Sequence, residues 1–361
     1  MRGSVIIKNK KLSCEEFASK TLPNEWNWLN KSQLFIKEWL TGAKSFKLKT
    51  SGSTGQPKAL YIGREQMEAS AKATLSALNL GEGSTALLCM NPDTVGGRMM
   101  LVRSLLGNWS LHISPPNRSP IIDADIDFTA MVPLQVKSLL NSQEGERFLN
   151  RIGKLIIGGA SISKDLDAQL QLLKTEVYQT FGMTESVSHI ALRRVNGGNK
   201  SQIYRLIGDN EITIDKNGLL SIKGSVTKNE WLKTNDIVEM VEGGFRWIGR
   251  ADLVVNSGGV KILIENLEKK IKDNSGIDAL VWKTEDNQLG ERAIGIVKSK
   301  EELDVIMNIK EKIKEALPQY HFPKEWYINP NWTLTESGKI NRSLIFSMIE
   351  QKKWMNNISI R

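Results

Sequence analysis

The sequence predicts an α/β fold: a large N-terminal α/β domain with a β-rich lobe, followed by a small α+β C-terminal domain. Three observations predict it. From about residue 50 to about 225, short apolar runs alternate with segments whose apolar positions recur at helical spacing. Between about 203 and 250 the pattern changes to short strands punctuated by glycine turns. After Gly249-Arg250 the alternation of helix and strand resumes, so residues 1–249 and 250–361 read as two domains.

Taken in order, Ala86–Met90, Phe128–Val132 and Lys154–Ile157 read as strands, each followed by polar turns. Residues 64–78, 97–106 and 132–140 carry helical periodicity. Strands alternating with helices argue for a partly parallel sheet. In the lobe, Asn210–Ile214 and Leu219–Lys223 flank Asp215-Lys216-Asn217-Gly218, a good hairpin turn because Asn-Gly tolerates positive φ. The strand Ile237–Met240 runs into Gly243-Gly244. The last part predicts a helix near 263–273, strands near 278–283 and 292–298, and a helix near 302–316.

The chain has 361 residues, 40% hydrophobic and 25% charged, enough for a buried core and two domains. No apolar run approaches the roughly 18 residues a membrane span needs. The apolar stretch Val5-Ile6-Ile7 is too short for a signal-peptide core. Cys14 and Cys89 are the only cysteines and show no metal-finger spacing, which suits a reducing cytoplasm. The net charge of +9 is spread along the chain without a basic block interleaved with aromatics. That argues against nucleic acid and suits a protein that handles small polyanions.

The strongest local signal is Thr50-Ser51-Gly52-Ser53-Thr54-Gly55-Gln56-Pro57-Lys58. Hydroxyls and glycines packed this densely give a loop whose backbone N–H groups can close on phosphate oxygens, with Lys58 adding charge. It is not a Walker loop, because Gln56-Pro57 separates the last glycine from the lysine. Further along stand Gly158-Gly159-Ala160 after an apolar strand, Phe181-Gly182-Met183-Thr184-Glu185, Thr234-Asn235-Asp236, Gly249-Arg250-Ala251-Asp252 with Asn256-Ser257-Gly258-Gly259-Val260-Lys261, and Thr335-Glu336-Ser337-Gly338-Lys339-Ile340-Asn341-Arg342.

These strings, in this order, resemble the signature motifs of the adenylate-forming enzymes, which include acyl-CoA synthetases, luciferases and nonribosomal-peptide adenylation domains. The resemblance runs from about residue 48 to 342. It implies that Thr50, Ser51, Gly52, Ser53, Thr54, Gly55 and Lys58 hold the phosphates of ATP. Gly158, Gly159 and Ala160 would line the adenine, and Phe181 and Gly182 would belong to the same cofactor-binding site. Thr184 would meet the α-phosphate, Glu185 would bind Mg²⁺, and Asp236 and Arg250 would hold the ribose. Asp252 would be a hinge for a mobile C-terminal domain. Lys339 would be the catalytic lysine of adenylation, and Gly258, Gly259 and Lys261 would face coenzyme A. Asn235 replaces the usual glycine, and Leu263-Ile264 stands where a proline usually precedes the glutamate, here Glu265.

Within the family, Ser186-Val187-Ser188-His189-Ile190-Ala191-Leu192-Arg193-Arg194 and Gly97–Arg103 are similar to short bacterial o-succinylbenzoate–CoA ligases of menaquinone biosynthesis. The phosphate loop also lies close to Met1, so the first subdomain is short. A dianionic acid needs a partner for its second carboxylate, and His189, Ser188, Arg98 and Arg103 are the candidates. Three other readings stand beside this one: a CoA ligase for a different acid, an adenylating enzyme that loads a carrier protein, and a non-catalytic nucleotide-binding protein. The sequence does not choose between monomer and homodimer.

Overall fold

The computed structural model describes residues 3–49, 59–298 and 303–313. Beyond these it describes 315, 317–318, 321–323, 325–329, 332–333, 340–350 and 357–359. The chain opens with strands β1 (Ser4–Ile7) and β2 (Lys10–Ser13), then helices α1 (Cys14–Ser19) and α2 (Asn30–Leu40). Ser13 begins α1 with a capping box, its hydroxyl accepting from Glu16 N while the Glu16 carboxylate accepts from Ser13 N. A two-stranded ribbon follows, β3 (Ser45–Lys49) and β4 (Ala59–Gly63), with Lys49 opposite Ala59. The phosphate-loop string is the connection between these two strands.

Helix α3 (Arg64–Ala77) leads to β5 (Thr85–Leu88), α4 (Val95–Leu106), β6 (Ser110–Ile113) and β7 (Ile126–Met131). Then come α5 (Pro133–Leu140), α6 (Gln143–Leu149), β8 (Ile152–Ile157), α7 (Lys164–Leu170), β9 (Glu176–Met183), β10 (Ser188–Arg194) and β11 (Arg205–Leu206). The main sheet has nine strands in the order β11-β10-β9-β8-β7-β5-β6-β1-β2. Its run from β9 to β1 is parallel, with antiparallel pairs at both edges. Alternate residues face opposite sides: Ala86 and Leu88 join one apolar cluster, Leu87 and Cys89 the other. Both faces are therefore covered, as a parallel sheet requires. Helix α4 is buried from Gly97 to Leu105, and a Cβ on Gly97 would lie 2.3 Å from the Asn91 carbonyl oxygen.

The lobe is a four-stranded antiparallel sheet of β12 (Glu211–Ile214), β13 (Leu219–Lys223), β14 (Leu232–Val241) and β15 (Gly244–Arg250). At its expected hairpin turn Gly218 takes φ 80°, and Asp215 Oδ1 accepts from the backbone N–H of Asn217 and Leu219. A third sheet contains β16 (Val254–Ser257), β17 (Val260–Leu263), β18 (Ala279–Asp286), β19 (Gly290–Val297), β20 (Glu325–Ile328) and β21 (Asn357–Ser359). Helices α8 (Ile264–Ser275), α9 (Leu303–Ile313) and α10 (Arg342–Glu350) accompany it. The buried apolar members of the first two clusters end at Phe245, and those of the last two begin at Val255.

Candidate active site

Open parallel sheets bind ligands beyond the carboxyl ends of their strands. The glycine segment and the acidic turn leave the neighbouring strands β8 and β9 at those ends. Gly158 N donates to Met131 O at 3.1 Å, and a Cβ there would lie 2.5 Å from Thr180 Oγ1. Gly159 takes φ 82°, a left-handed conformation that glycine adopts freely. Gly159 and Ala160 are exposed, which leaves this backbone open to a flat ring.

The Phe181–Glu185 string forms the end of β9 and the turn into β10. Phe181 packs edge-on against Phe245 with centroids 5.0 Å apart, and beside Tyr204 at 5.7 Å, joining the main sheet to the lobe. Gly182 admits no side chain, because a Cβ would lie 2.0 Å from Ser188 O. Beyond it Val187 N donates to Thr184 O at 3.1 Å. Ser186 Oγ accepts from Met183 N at 3.0 Å and lies 3.1 Å from Ser188 O. Val187 and Ser188 are both left-handed, with φ 54° and 83°. Such backbone costs about 1–3 kcal/mol per non-glycine residue and persists only where the surroundings impose it. The turn holds Thr184 half-buried and Glu185 exposed.

Behind the turn lies a buried polar chain. Thr74 Oγ1 donates its proton to Ser70 O at 3.0 Å, so it accepts from His189 Nε2 at 3.1 Å. His189 Nδ1 then accepts from Ser188 Oγ at 3.3 Å, and Arg103 reaches the same hydroxyl at 3.5 Å. Burial, and then the Arg103 cation, hold the His189 imidazole well below its ordinary range, so it is neutral. Arg103 is fully buried, its pKa is pushed down to about 9 by burial, and its Nε has no partner among the described residues. Among the described residues no carboxylate forms an ion pair with it. Arg98 is turned elsewhere: its Nε donates to Pro92 O at 2.8 Å and its guanidinium lies 4.7 Å from the Phe35 ring centroid. Of the four acid-pocket candidates, Arg103, Ser188 and His189 therefore meet, and Arg98 does not.

Asp236 is buried on β14 opposite Arg250, and its Oδ1 accepts from Trp247 Nε1 at 2.9 Å. Burial raises its pKa, against the Trp247 hydrogen bond and the Arg250 charge. Arg250 forms a two-bond fork onto Asp252. Gly258 (φ 55°) and Gly259 (φ 83°) make the two-residue turn between β16 and β17, where two consecutive positive φ values favour glycine. Lys261 is exposed just beyond it. Thr50, Ser51, Gly52, Ser53, Thr54, Gly55, Lys58 and Lys339 lie outside the described residues.

Sequence reasoning missed Ser70, Thr74 and Trp247. The first two had a signal: polar residues on the otherwise apolar stripe of α3 formed by Met67 and Ala71. Among the described residues no group of three or more His, Cys, Asp or Glu could hold a metal. Glu185 is instead a single exposed carboxylate, of the kind that would take Mg²⁺ together with phosphate oxygens and water.

Residues 48–220 match the family model described as AMP-binding enzyme. A solved acyl-CoA synthetase (AMP-forming)/AMP-acid ligase II-like protein from Dyadobacter fermentans is 35% identical. The match covers 93% of this chain and 97% of that one, with a TM-score of 0.64. The o-succinylbenzoate CoA synthetase of Bacillus subtilis, solved with its acyl-adenylate intermediate, has the same fold at 19% identity and a TM-score of 0.69, covering 83% of this chain and 68% of that one. The 2-succinylbenzoate–CoA ligase of Salmonella typhimurium is 24% identical over 81% of this chain, which spans 66% of that ligase's length. The chain belongs to the AMP-binding, adenylate-forming enzyme family.

Proposed function

We propose that this chain is an ATP-dependent acid–CoA ligase acting on o-succinylbenzoate, at the CoA-ligation step of menaquinone biosynthesis in the cytoplasm. In the first half-reaction the acid's carboxylate attacks the α-phosphorus of ATP and pyrophosphate leaves. No side-chain nucleophile is required, because the substrate supplies it. Thr184, the Thr50–Lys58 loop and Lys339 would stabilise the charge that gathers on the phosphorus, one well-placed donor contributing about 3–4 kcal/mol. Glu185 would hold Mg²⁺, which offsets the negative charge of the phosphates. Asp236 and Arg250 would fix the ribose. In the second half-reaction the thiol of CoA attacks the acyl-adenylate carbonyl and AMP leaves, with Gly258, Gly259 and Lys261 facing the incoming thiol.

The observation that carries the choice of acid is Arg103: a fully buried guanidinium whose Nε has no partner among the described residues, four hydrogen bonds from the α3 backbone through Ser188, His189 and Thr74. An unpaired buried cation is costly, and an anionic group of the ligand would offset that cost. An aromatic acid with a second carboxylate supplies one. Curated 2-succinylbenzoate–CoA ligases, including that of Listeria monocytogenes at 25% identity, support the same choice.

The test is pyrophosphate release across a panel of mono- and dicarboxylic acids, followed by product analysis with free CoA. The expected result is strongest stimulation by o-succinylbenzoate and formation of its CoA thioester. Stronger stimulation by another acid would replace the substrate, and adenylate without thioester would point to a carrier protein as acceptor.

A further inference from the structure

The turn that presents Thr184 and Glu185 is not self-supporting. It ends on Val187 and Ser188, both left-handed, and a β-branched residue at φ 54° is a poor occupant of that region. The Ser186 hydroxyl and the Val187-to-Thr184 hydrogen bond act within the turn. Among the described residues, the side-chain hydrogen bond to the turn's backbone from outside comes from α3. Ser70 Oγ donates to Val187 O at 2.6 Å, and both residues are fully buried. Ser70 lies in none of the family motifs and is separated from Val187 by 117 positions.

Helix α3 starts directly after β4, the strand that follows the phosphate-loop string. Its first turn is anchored as well, Gln66 accepting from Gly63 N at 3.0 Å and donating to Val226 O at 2.7 Å. One helix thus begins at the end of β4 and holds the acidic turn.

We infer that Ser70 is a positioning residue that sets Glu185 at a fixed place relative to α3 and the end of β4. The inference rests on the adenylation reading above. Without the hydroxyl, the Val187 peptide loses its side-chain donor and relaxes toward ordinary backbone, and Glu185, two residues earlier, moves with it.

The test measures ATP affinity of the full chain by calorimetry with and without Mg²⁺. For Ser70→Ala the expected result is Mg²⁺-ATP binding weakened about tenfold, the size of one lost buried hydrogen bond, with Mg²⁺-free binding within about twofold of wild type. In ATP–pyrophosphate exchange, the double variant Ser70→Ala/Glu185→Gln should be no slower than Glu185→Gln alone, because the two residues act as one unit. Equal weakening with and without Mg²⁺, additive losses, or no change would each overturn the inference. If Ser70→Ala does not fold, Ser70→Cys keeps the volume with a weaker donor and is read by the same two affinities. A wild-type chain that neither binds ATP nor exchanges pyrophosphate with any acid would instead overturn the proposed function.

Discussion

Arg250 Nε donates to Asp252 Oδ1 at 2.9 Å and a terminal guanidinium nitrogen to Oδ2 at 2.8 Å, a fork across the link between the lobe and the third sheet. Asp252 sits in a short 3-10 turn, Ala251–Leu253, between β15 and β16. The fork stiffens that turn and holds Arg250 there, and the hydrogen bond to Asp252 raises the Arg250 pKa. Both groups keep over a quarter of their side-chain surface exposed, so the fork contributes little to global stability.

Asp252→Ala therefore tests the hinge without unfolding the protein. If the second step reorients the C-terminal domain about Asp252, as proposed, the expected outcome is adenylate formation within about threefold of wild type and thioester formation slowed about tenfold. Single-turnover measurements of each half-reaction separate the two. Equal loss in both would show that Asp252 serves nucleotide binding instead.

Glu265 supplies a prediction about pH. Its Oε2 is buried beside Gly249 without a partner among the described residues, and burial raises the carboxyl to about 7 from 4.5. Arg342 opposes that rise, Glu268 adds to it, and Arg250 opposes it. Arg342 is itself held by a fork on Glu268, with one bond at 2.6 Å. Between about pH 4.5 and 7 the folded protein keeps a proton on Glu265 that the unfolded chain has released. Stability is therefore lost as pH rises through that window. Glu265→Gln should melt like wild type at pH 4.5 and be more stable at pH 8, by about 2–3 kcal/mol at most. Thermal melts at the two pH values decide it. A difference independent of pH would mean that Glu265 does not titrate in the folded state.

Much of this architecture was legible because period and punctuation agree. Leu87 and Cys89 alternate with Ala86 and Leu88 inside a continuous apolar run, the pattern of a strand buried on both faces. Gly218 and the Gly258-Gly259 pair mark turns whose positive φ values few other residues accept. Short strands were harder. β1 has four residues, and its place beside β6 is set by pairing across more than a hundred positions. The site was legible as motifs but not as partners. Arg98 and Arg103 were equal candidates in the sequence, yet at 100° per residue they lie about 140° apart on α4, so only one meets Ser188. Asp236 could be named, while Trp247, which donates to it, sits on the next strand and belongs to no motif. The Arg250 fork on Asp252 depends on backbone geometry that spacing does not specify.

The last prediction sets function against stability at Arg103. Desolvating a guanidinium without an anionic partner is unfavourable, and burial has already lowered its pKa to about 9. Arg103→Met keeps the volume and removes the charge, so the ligand-free protein should become more stable by about 1–3 kcal/mol. Ser188 and His189 keep their mutual bond, and His189, relieved of the Arg103 cation, titrates slightly higher while staying below its ordinary range through burial. The same variant should raise the KM for a dicarboxylic acid at least tenfold, the usual size of a lost charged hydrogen bond, and leave the KM for a matched monocarboxylic acid nearly unchanged. Thermal melts and initial rates on the two acids together test the idea. A variant that is both less stable and equally impaired on both acids would assign Arg103 to structure, and the second carboxylate would need another partner.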